Sequence, residues 1–293
     1  MKHPDETGVL FLSRTFPPST GGMQKFSYEL LQHLKEDEDV AVTAFTWGGS
    51  KVWLPFVLPY LFIGAALHLL QDGEDIIYGT DGLISPIVRW LGRLFGVKTG
   101  ITLHGLDITF DNAIYQRLVV PTFKRHDRVM CVSRATAEAA KEAGVDSSKI
   151  EVVPNGIDPD EYYREDASRE TLEGRLEEEE EITLDLAGKT LLLSVGRLVE
   201  RKGFHWFVSE VVPELGDDYI YFICGTGGME KRILERIGEN DIDNQVFPLG
   251  HVSGELLATL YNVSDALIMP NVTVDGDMEG FGIVALEAAS CGT

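Results

Sequence analysis

Short apolar runs alternate with longer amphipathic stretches along most of this chain. The runs VLFLS, VAVTAFTW, DIIYG, KTGITLHG, RVMCVS and KIEVVPNG are mostly apolar without strict alternation, which is typical of strands in a parallel sheet covered on both faces. The stretches between them, such as MQKFSYELLQHL and ISPIVRWLGRLFG, carry apolar residues at helical spacing. The pattern predicts a doubly wound α/β domain over residues 1–163, whose end is marked by the turn in VVPNGID.

A charged stretch that is poor in strand signals, 164–188, comes before a second alternation of the same kind. Its five consecutive acids, 177–181, are interpreted as a solvated face, because metal sites of this kind intersperse their ligands with Gly or Asp. The runs TLLLSVG, YIYFICG, QVFPLG and DALIMP then alternate with helical stretches up to GFGIVALEAASCG. We therefore expect an acidic linker over 164–188 and a second Rossmann-like domain over 189–293 that is incomplete at its C-terminus.

The stretch VWLPFVLPYLFIGAALHLL, 52–70, is long and apolar enough to cross a membrane. Pro55, Pro59 and the strand-like run that follows favour a buried helix instead. Contact with a membrane surface is the second interpretation, and a true span is the third. No signal peptide precedes this stretch, because the chain opens on the polar run MKHPDETG.

The charge balance is strongly acidic, with 47 Asp and Glu against 25 Lys and Arg and a formal net charge of -22. Nucleic acid is excluded as an expected partner, because neutralising phosphates requires clustered Lys and Arg. A folded chain with this much negative charge suits an organism with high internal salt, where repulsion is screened over about 3 Å at 1 M. Halophilic origin is therefore a hypothesis from charge alone.

Three cysteines are widely separated in the sequence, and two of them, Cys131 and Cys224, lie inside apolar strand runs. Neither a zinc motif nor a disulfide framework fits this spacing. We expect Cys131 and Cys224 to pack in the core, and a reducing cytoplasm follows as the predicted location.

The segment EGFGIVALE gives the strongest indication of a binding site. Gly280 and Gly282 permit close backbone approach at the start of a helix, where free N–H groups bind anions such as a diphosphate. Eight helical residues rise about 12 Å, so Glu279 and Glu287 are expected to reach two separate hydroxyl groups of one extended ligand. The alternative is that Glu279 caps the helix and that Glu287 is one surface acid among many.

Other candidates follow predicted strand ends, where open α/β sheets bind their ligands. Arg197 and Lys202, in SVGRLVERKGF, are expected to neutralise a diphosphate leaving group, with surface decoration as the alternative. Gly22, in FPPSTGG, opens a helix as a second backbone site or, alternatively, a plain turn. His104 and Asp107, in HGLD, lie at a third strand end, although a lone histidine is more often structural.

Taken in order, these segments resemble the family 4 glycosyltransferases, which are retaining enzymes of the GT-B fold. The similarity runs from FPPSTGG through HGLD, CVSRATAEAA, VVPNGID, SVGRLVERKGF and ICGTGGMEKRI to EGFGIVALEAASCGT. The resemblance implies two Rossmann-like parallel-sheet domains that face a cleft. It also implies that a nucleotide-diphosphate sugar and a glycan or lipid-linked acceptor are the substrates.

The resemblance also implies roles for individual residues. Glu287 is similar to the acid that binds the donor ribose, Glu279 to the acid that contacts the transferred sugar, and His104 to a histidine that touches that sugar. Arg197 and Lys202 resemble the diphosphate clamp of the family. The remaining donor contacts are glycines and a phenylalanine: Gly22, Gly227, Gly280, Phe281 and Gly282.

The family requires neither a metal nor a cofactor, and its proposed mechanism is attack on the front face of the sugar, with a donor phosphate oxygen taking the acceptor proton. A catalytically inactive nucleotide-sugar-binding or partner subunit is the alternative function. Peripheral contact with the cytoplasmic membrane face would fit a lipid-linked acceptor.

Overall fold

The computed structural model describes residues 6–19 and 21–293, apart from the side chain of Lys51. Thr20, within the first glycine motif, and the first five residues of the predicted N-terminal domain lie outside this description. The described chain divides into two compact units. Unit 1 comprises Met1–Asn155 and Gly276–Phe281, and unit 2 comprises Gly156–Asp275 and Gly282–Thr293.

Unit 1 is built on a parallel sheet, which in its described residues has six strands in the order β2-β1-β3-β4-β5-β6. Its strands are β1 (Thr7–Ser13), β2 (Val40–Thr46), β3 (Ile76–Gly79), β4 (Lys98–Leu103), β5 (Arg128–Cys131) and β6 (Ile150–Val152). Its helices are α1 (Gly22–Glu36), α2 (Leu54–Gln71), α3 (Ser85–Phe95), α4 (Leu106–Thr109), α5 (Ala113–Leu118), α6 (Val120–Phe123) and α7 (Arg134–Glu142).

The central strands of unit 1 are apolar because helices cover the sheet. Leu10, Leu12 and Ile77 are fully buried, and they pack with buried side chains of α2 and α3 in one core cluster. Ile101 and Val129, on the neighbouring strands, pack with α5, α6 and α7 in a second cluster. The predicted doubly wound domain is therefore confirmed in its order of elements.

Unit 2 repeats this plan with a smaller parallel sheet, which among the described residues has four strands in the order β10-β7-β8-β9. Its strands are β7 (Thr190–Val195), β8 (Tyr219–Cys224), β9 (Val246–Gly250) and β10 (Ala266–Leu267). Its helices are α8 (Arg169–Glu180), α9 (Phe204–Glu210), α10 (Glu230–Glu239), α11 (Gly254–Val263) and α12 (Val284–Ser290). Cys131 in β5 and Cys224 in β8 are both buried, as predicted for core residues.

The predicted acidic linker, 164–188, is an integral part of unit 2. It contains α8, and three of its four leucines, Leu172, Leu176 and Leu186, are fully buried in one core cluster with β7, β8 and α11. The prediction of a separate linker is wrong because the many acids of α8 obscure one apolar stripe, in which Leu172 and Leu176 are four residues apart. The division between the units lies at Asn155, before the predicted boundary at Tyr163 and within the predicted NGID turn.

The apolar helix α2 is only half buried. Val57, Leu61, Ala65 and Leu69, which recur every four residues, pack on the sheet of unit 1. The opposite side of the helix exposes Phe56 (69%), Leu70 (71%), Tyr60, Ile63 and Leu67. The prediction of a buried helix is therefore wrong for this outer face, although α2 covers the predicted residues from Leu54 to Leu70.

Candidate functional site

The glycine-rich segment that follows β8 lies directly against the backbone that follows β7. A Cβ on Gly225 would lie 2.0 Å from the carbonyl oxygen of Gly196, and the backbone at Gly225 has a φ of 137°. A Cβ on Gly227 would lie 2.4 Å from the carbonyl oxygen of Leu198. Because real Cβ atoms cannot approach this closely, the GTGG segment needs glycine at positions 225 and 227 to pack at the carboxyl edge of the unit 2 sheet.

The two predicted cations both belong to this edge of unit 2. Arg197 is exposed in the segment after β7. Lys202 is 7% exposed and folds back toward the same segment, so that its Nζ atom would lie 3.6 Å from a Cβ on Gly196. The structure therefore places the Lys202 ammonium group beside the residue that precedes Arg197, where the sequence predicts a diphosphate site.

A tight turn holds Lys202 in this position. Glu200–Lys202 form one turn of 3-10 helix that ends at Gly203, where φ is 69°. A Cβ on Gly203 would lie 2.1 Å from the carbonyl oxygen of Pro270, so only glycine fits. The backbone N–H of Val272 donates to the Arg201 carbonyl at 2.9 Å and joins the segment after β10 to the same turn.

Glu287 is a buried acid with two phenol partners. It is 5% exposed, and its carboxylate accepts hydrogen bonds from the Tyr261 hydroxyl at 2.8 Å and the Tyr162 hydroxyl at 3.2 Å. Burial, together with the adjacent carboxylate, raises the pKa of Tyr261, so this phenol remains a donor at neutral pH. Glu287 is thus not the surface acid that the alternative interpretation described.

Sequence reasoning did not identify the two tyrosines around Glu287. The rings of Tyr162 and Tyr261 meet edge to face at 5.4 Å, although 99 positions separate their residue numbers. Neither tyrosine directly follows a strand, so the sequence offers no local signal for them. They matter because they fix the orientation of the carboxylate.

The segment EGFGIVALE differs from the prediction in its local structure. α12 begins at Val284, so Glu279 lies outside the helix and neither caps it nor stands eight helical residues before Glu287. The expected 12 Å helical separation is therefore wrong. Gly280 and Phe281 precede the helix in unit 1, whereas Gly282 has a φ of 77° and belongs to unit 2.

His104 is held in unit 1 by groups from three elements. Its ring Nε2 lies 2.8 Å from the Thr80 carbonyl oxygen, which can only accept, so Nε2 carries the proton. Its backbone N–H donates to Asp107 Oδ2 at 3.0 Å, and its ring meets Phe26 edge to face at 4.9 Å. These contacts leave His104 half-buried in a fixed orientation.

Gly280 lies against the His104 turn within unit 1. A Cβ on Gly280 would lie 2.4 Å from the His104 carbonyl oxygen, and a Cβ on Gly105 would lie 3.1 Å from the Gly280 Cα. The structure therefore brings together His104 and the residue that follows Glu279. Gly22, by contrast, is the exposed first residue of α1, and a Cβ there would meet open space.

A buried charged cluster that the sequence analysis did not identify adjoins the His104 turn. Arg14 Nε donates to Asp81 Oδ1 at 2.9 Å, and Asp81 is fully buried. Burial raises the pKa of Asp107; the nearby His104 opposes this shift and the Asp81 charge adds to it. Arg14 and Asp81 each follow a strand, β1 and β3, so the rule that selected His104 could have found both.

Within the described residues, these groups do not form a metal-binding cluster. Across residues 6–19 and 21–293, no three His, Cys, Asp or Glu side chains are grouped so that they could hold a metal ion. The polar groups near the sheet edges are instead cations, carboxylates and glycine backbone, which can bind a phosphate or a hydroxyl group directly.

Two open parallel sheets with glycine turns and polar groups at their carboxyl edges define the chain as a protein of the GT-B class. The crystal structure of Anabaena HepE in complex with UDP and glucose has this fold, with a TM-score of 0.71 and 18% sequence identity over 98% of this chain and 79% of HepE. The Glycosyltransferase Family 4 profile matches residues 20–161, and the profile of glycosyl transferases group 1 matches residues 177–293. The chain belongs to the family 4, group 1 glycosyltransferases.

Curated relatives extend the comparison. WcaL of Salmonella typhimurium is 27% identical over 73% of this chain, which spans about half (50%) of the length of WcaL. A GDP-mannose-dependent alpha-(1-6)-phosphatidylinositol monomannoside mannosyltransferase of Mycolicibacterium smegmatis is 25% identical over 97% of this chain and 78% of the relative.

Proposed function

We propose that this protein binds a nucleotide-diphosphate sugar and transfers the sugar, with retention of configuration, to a glycan or lipid-linked acceptor. The observation that carries this proposal is the carboxyl edge of the unit 2 sheet, where Lys202 folds over Gly196 beside the GTGG segment. Family membership and the UDP and glucose complex of HepE support a nucleotide-sugar donor.

The donor diphosphate is the group that unit 2 is proposed to bind. Arg197 and Lys202 neutralise its charge, and both stabilise it further when the bond to the sugar breaks and negative charge accumulates. Backbone N–H groups near Gly227 and Gly282 donate to the nucleotide side. Glu287, whose position the two phenols fix, is proposed to accept a hydrogen bond from the donor ribose.

The transferred sugar is proposed to contact residues of unit 1. Glu279 accepts from sugar hydroxyl groups, and His104 contacts the sugar through its edge while Thr80 fixes its tautomer. Gly280 and Phe281 keep Glu279 close to His104, since Gly280 packs against the His104 carbonyl. Gly22 offers the exposed start of α1 to a phosphate group.

The proposed chemical step needs no protein nucleophile, no metal and no cofactor. The acceptor hydroxyl oxygen bonds to the anomeric carbon on the face from which the diphosphate departs, and a phosphate oxygen takes the hydroxyl proton. The scissile carbon–oxygen electron pair leaves with the diphosphate. The two cations of unit 2 supply the positive charge for this step, so EDTA is expected to leave the rate unchanged.

Thermal unfolding in the presence of UDP, GDP and ADP sugars tests donor binding, because a ligand that binds only the native state raises its stability by about 2.7 kcal/mol at 100 times its Kd. Radiolabelled transfer to acceptor lipid or glycan tests the reaction. Glu279→Ala is expected to abolish transfer without loss of folding, and Glu178→Ala, in the acidic run of α8, is the matched control. Donor that stays bound and untransferred in the wild-type protein would favour the partner-subunit function.

We also propose that unit 1 makes peripheral contact with the cytoplasmic face of a membrane through the outer face of α2. Among the described residues, α2 is the one helix long and apolar enough to span a bilayer. Its exposed Phe56, Tyr60 and Ile63 would insert into the interface while its inner face stays on the sheet. Phe56→Ser with Ile63→Ser is expected to reduce vesicle binding, whereas Tyr28→Ser on α1 is the control.

A cytoplasm of high salt is the proposed setting for this acidic chain. At a net charge of -22, self-repulsion opposes folding, and molar salt screens it. Refolding yield is therefore expected to rise between dilute buffer and molar potassium chloride. A yield that is insensitive to salt would contradict halophilic origin.

A further inference from the structure

Four arginines surround one groove on the surface of unit 1. Arg89 and Arg93 lie four residues apart on α3, and Arg117 and Arg125 lie on and after the facing α5 and α6. The groove has a volume of about 200 Å³, which exceeds several times the roughly 30 Å³ that one water occupies in the liquid. The groove is therefore large enough for a phosphate group.

This concentration of positive charge is unusual in so acidic a chain. Residues 76–126 carry six basic residues and three acidic ones, and two of the three acids, Asp81 and Asp107, are buried. Although the whole chain offers 47 carboxylates, none of the four arginines forms an ion pair within the described residues. Their charges are thus available to a ligand.

The groove lies in an apolar surface. Trp90 (64% exposed) and Leu118 (63%) line it, and Leu94 and Ile114 are exposed beside them on the same helices. The α3 helix packs against both α2 and α6, so this surface and the exposed face of α2 belong to neighbouring helices. Aromatic and aliphatic side chains next to arginines are the composition of a surface that inserts into the headgroup region of a bilayer.

We infer that this arginine groove binds the phosphate of an anionic lipid headgroup when the helix layer docks on a membrane. The inference rests on the membrane contact proposed above and adds the lipid class and the residues that select it. Guanidinium groups donate to phosphate oxygens in a planar fork, which suits them to this ligand. A negatively charged surface would otherwise repel a chain of net charge -22, so local positive charge is needed where the apolar side chains insert.

Vesicle flotation tests this assignment with two compositions, phosphatidylcholine alone and phosphatidylcholine mixed with phosphatidylglycerol. The wild-type protein is expected to bind the mixed vesicles more tightly. Arg93→Gln with Arg117→Gln should lower that affinity roughly 30-fold, from about 1 kcal/mol per basic side chain, and leave binding to phosphatidylcholine unchanged. The matched control, Lys98→Gln with Arg128→Gln, removes two exposed charges outside the groove and should retain most of the preference.

Thermal unfolding of each variant confirms that it is folded. Equal losses in the groove and control variants would overturn the assignment, because the lipid effect would then reflect net charge alone. Binding of single-stranded RNA that the groove variant loses would also overturn it in favour of another partner. If the wild-type protein binds neither vesicle, the membrane contact itself fails, whereas failure of sugar transfer leaves these results unaffected.

Discussion

Replacing Glu287 by alanine is expected to destabilise unit 2 by about 3 kcal/mol. The substitution removes the acceptor of two phenol hydroxyl groups, and hydrogen bonds to a charged group contribute about 1.5–3 kcal/mol each. The lower end of this range, about 1.5 kcal/mol for each bond, applies because removing the carboxylate also removes the free-energy cost of burying its charge. Since about 1 kcal/mol shifts the Tm of a domain of this size by about 2–4 °C, the expected decrease is roughly 6–12 °C.

Urea and thermal unfolding followed by circular dichroism, without nucleotide, measure this effect separately from donor binding. Tyr261→Phe removes one of the two bonds and should cost about half as much. Glu287→Gln keeps one acceptor oxygen and should lie between the wild-type protein and the alanine variant. If Glu287→Ala is as stable as Glu178→Ala, in which an exposed acid is lost, the phenol contacts do not stabilise the fold and the reasoning is refuted.

Three further outcomes follow from buried groups. Burial lowers the pKa of His126 from 6.5 to about 4. The stability that the neutral imidazole contributes is therefore fully present above pH 6.5 and is lost as the pH falls from 6.5 through 4. In urea titrations between these pH values, the free energy of unfolding of the wild-type protein should fall by about 1.4 kcal/mol per pH unit more than that of His126→Gln. Equal slopes would contradict this. Gly225→Ala should weaken donor binding and lower the Tm, because its Cβ would lie 2.0 Å from a carbonyl oxygen; Gly228→Ala, where a Cβ meets open space, is the control. Burial raises the thiol pKa of Cys131 to about 11 and of Cys224 to about 12, so a thiol reagent at neutral pH should label Cys291 first; rapid labelling of all three would show that the cores are open.

The alternation of strands and helices could be predicted from the sequence because parallel strands buried on both faces form continuous apolar runs. Runs such as VLFLS and TLLLSV form β1 and β7, each of which is an inner strand of its sheet. The glycines of GTGG also follow a strand, as the sequence indicated. Here the local composition of the run agrees with its buried environment in the fold, so composition is sufficient to predict the strand.

The errors arose where tertiary packing selects among residues of similar composition. Leu172 and Leu176 lie in an acidic stretch, and only the neighbouring β7 and α11 make them core residues. The outer residues of α2 are as apolar as the inner ones, so periodicity could not show which face the sheet covers. Tyr162 and Tyr261 converge on Glu287 from distant positions, which no local spacing reveals.

The assignment of Gly276–Phe281 to unit 1 has a consequence for synthesis on the ribosome. This short segment packs beside the His104 turn, yet it is translated after nearly all of unit 2. The N-terminal sheet can form early, as domains generally do during translation, but the nascent unit 1 must wait for its last piece. Until then the backbone of His104 and Gly105 lacks the close contact with Gly280 that the folded chain has.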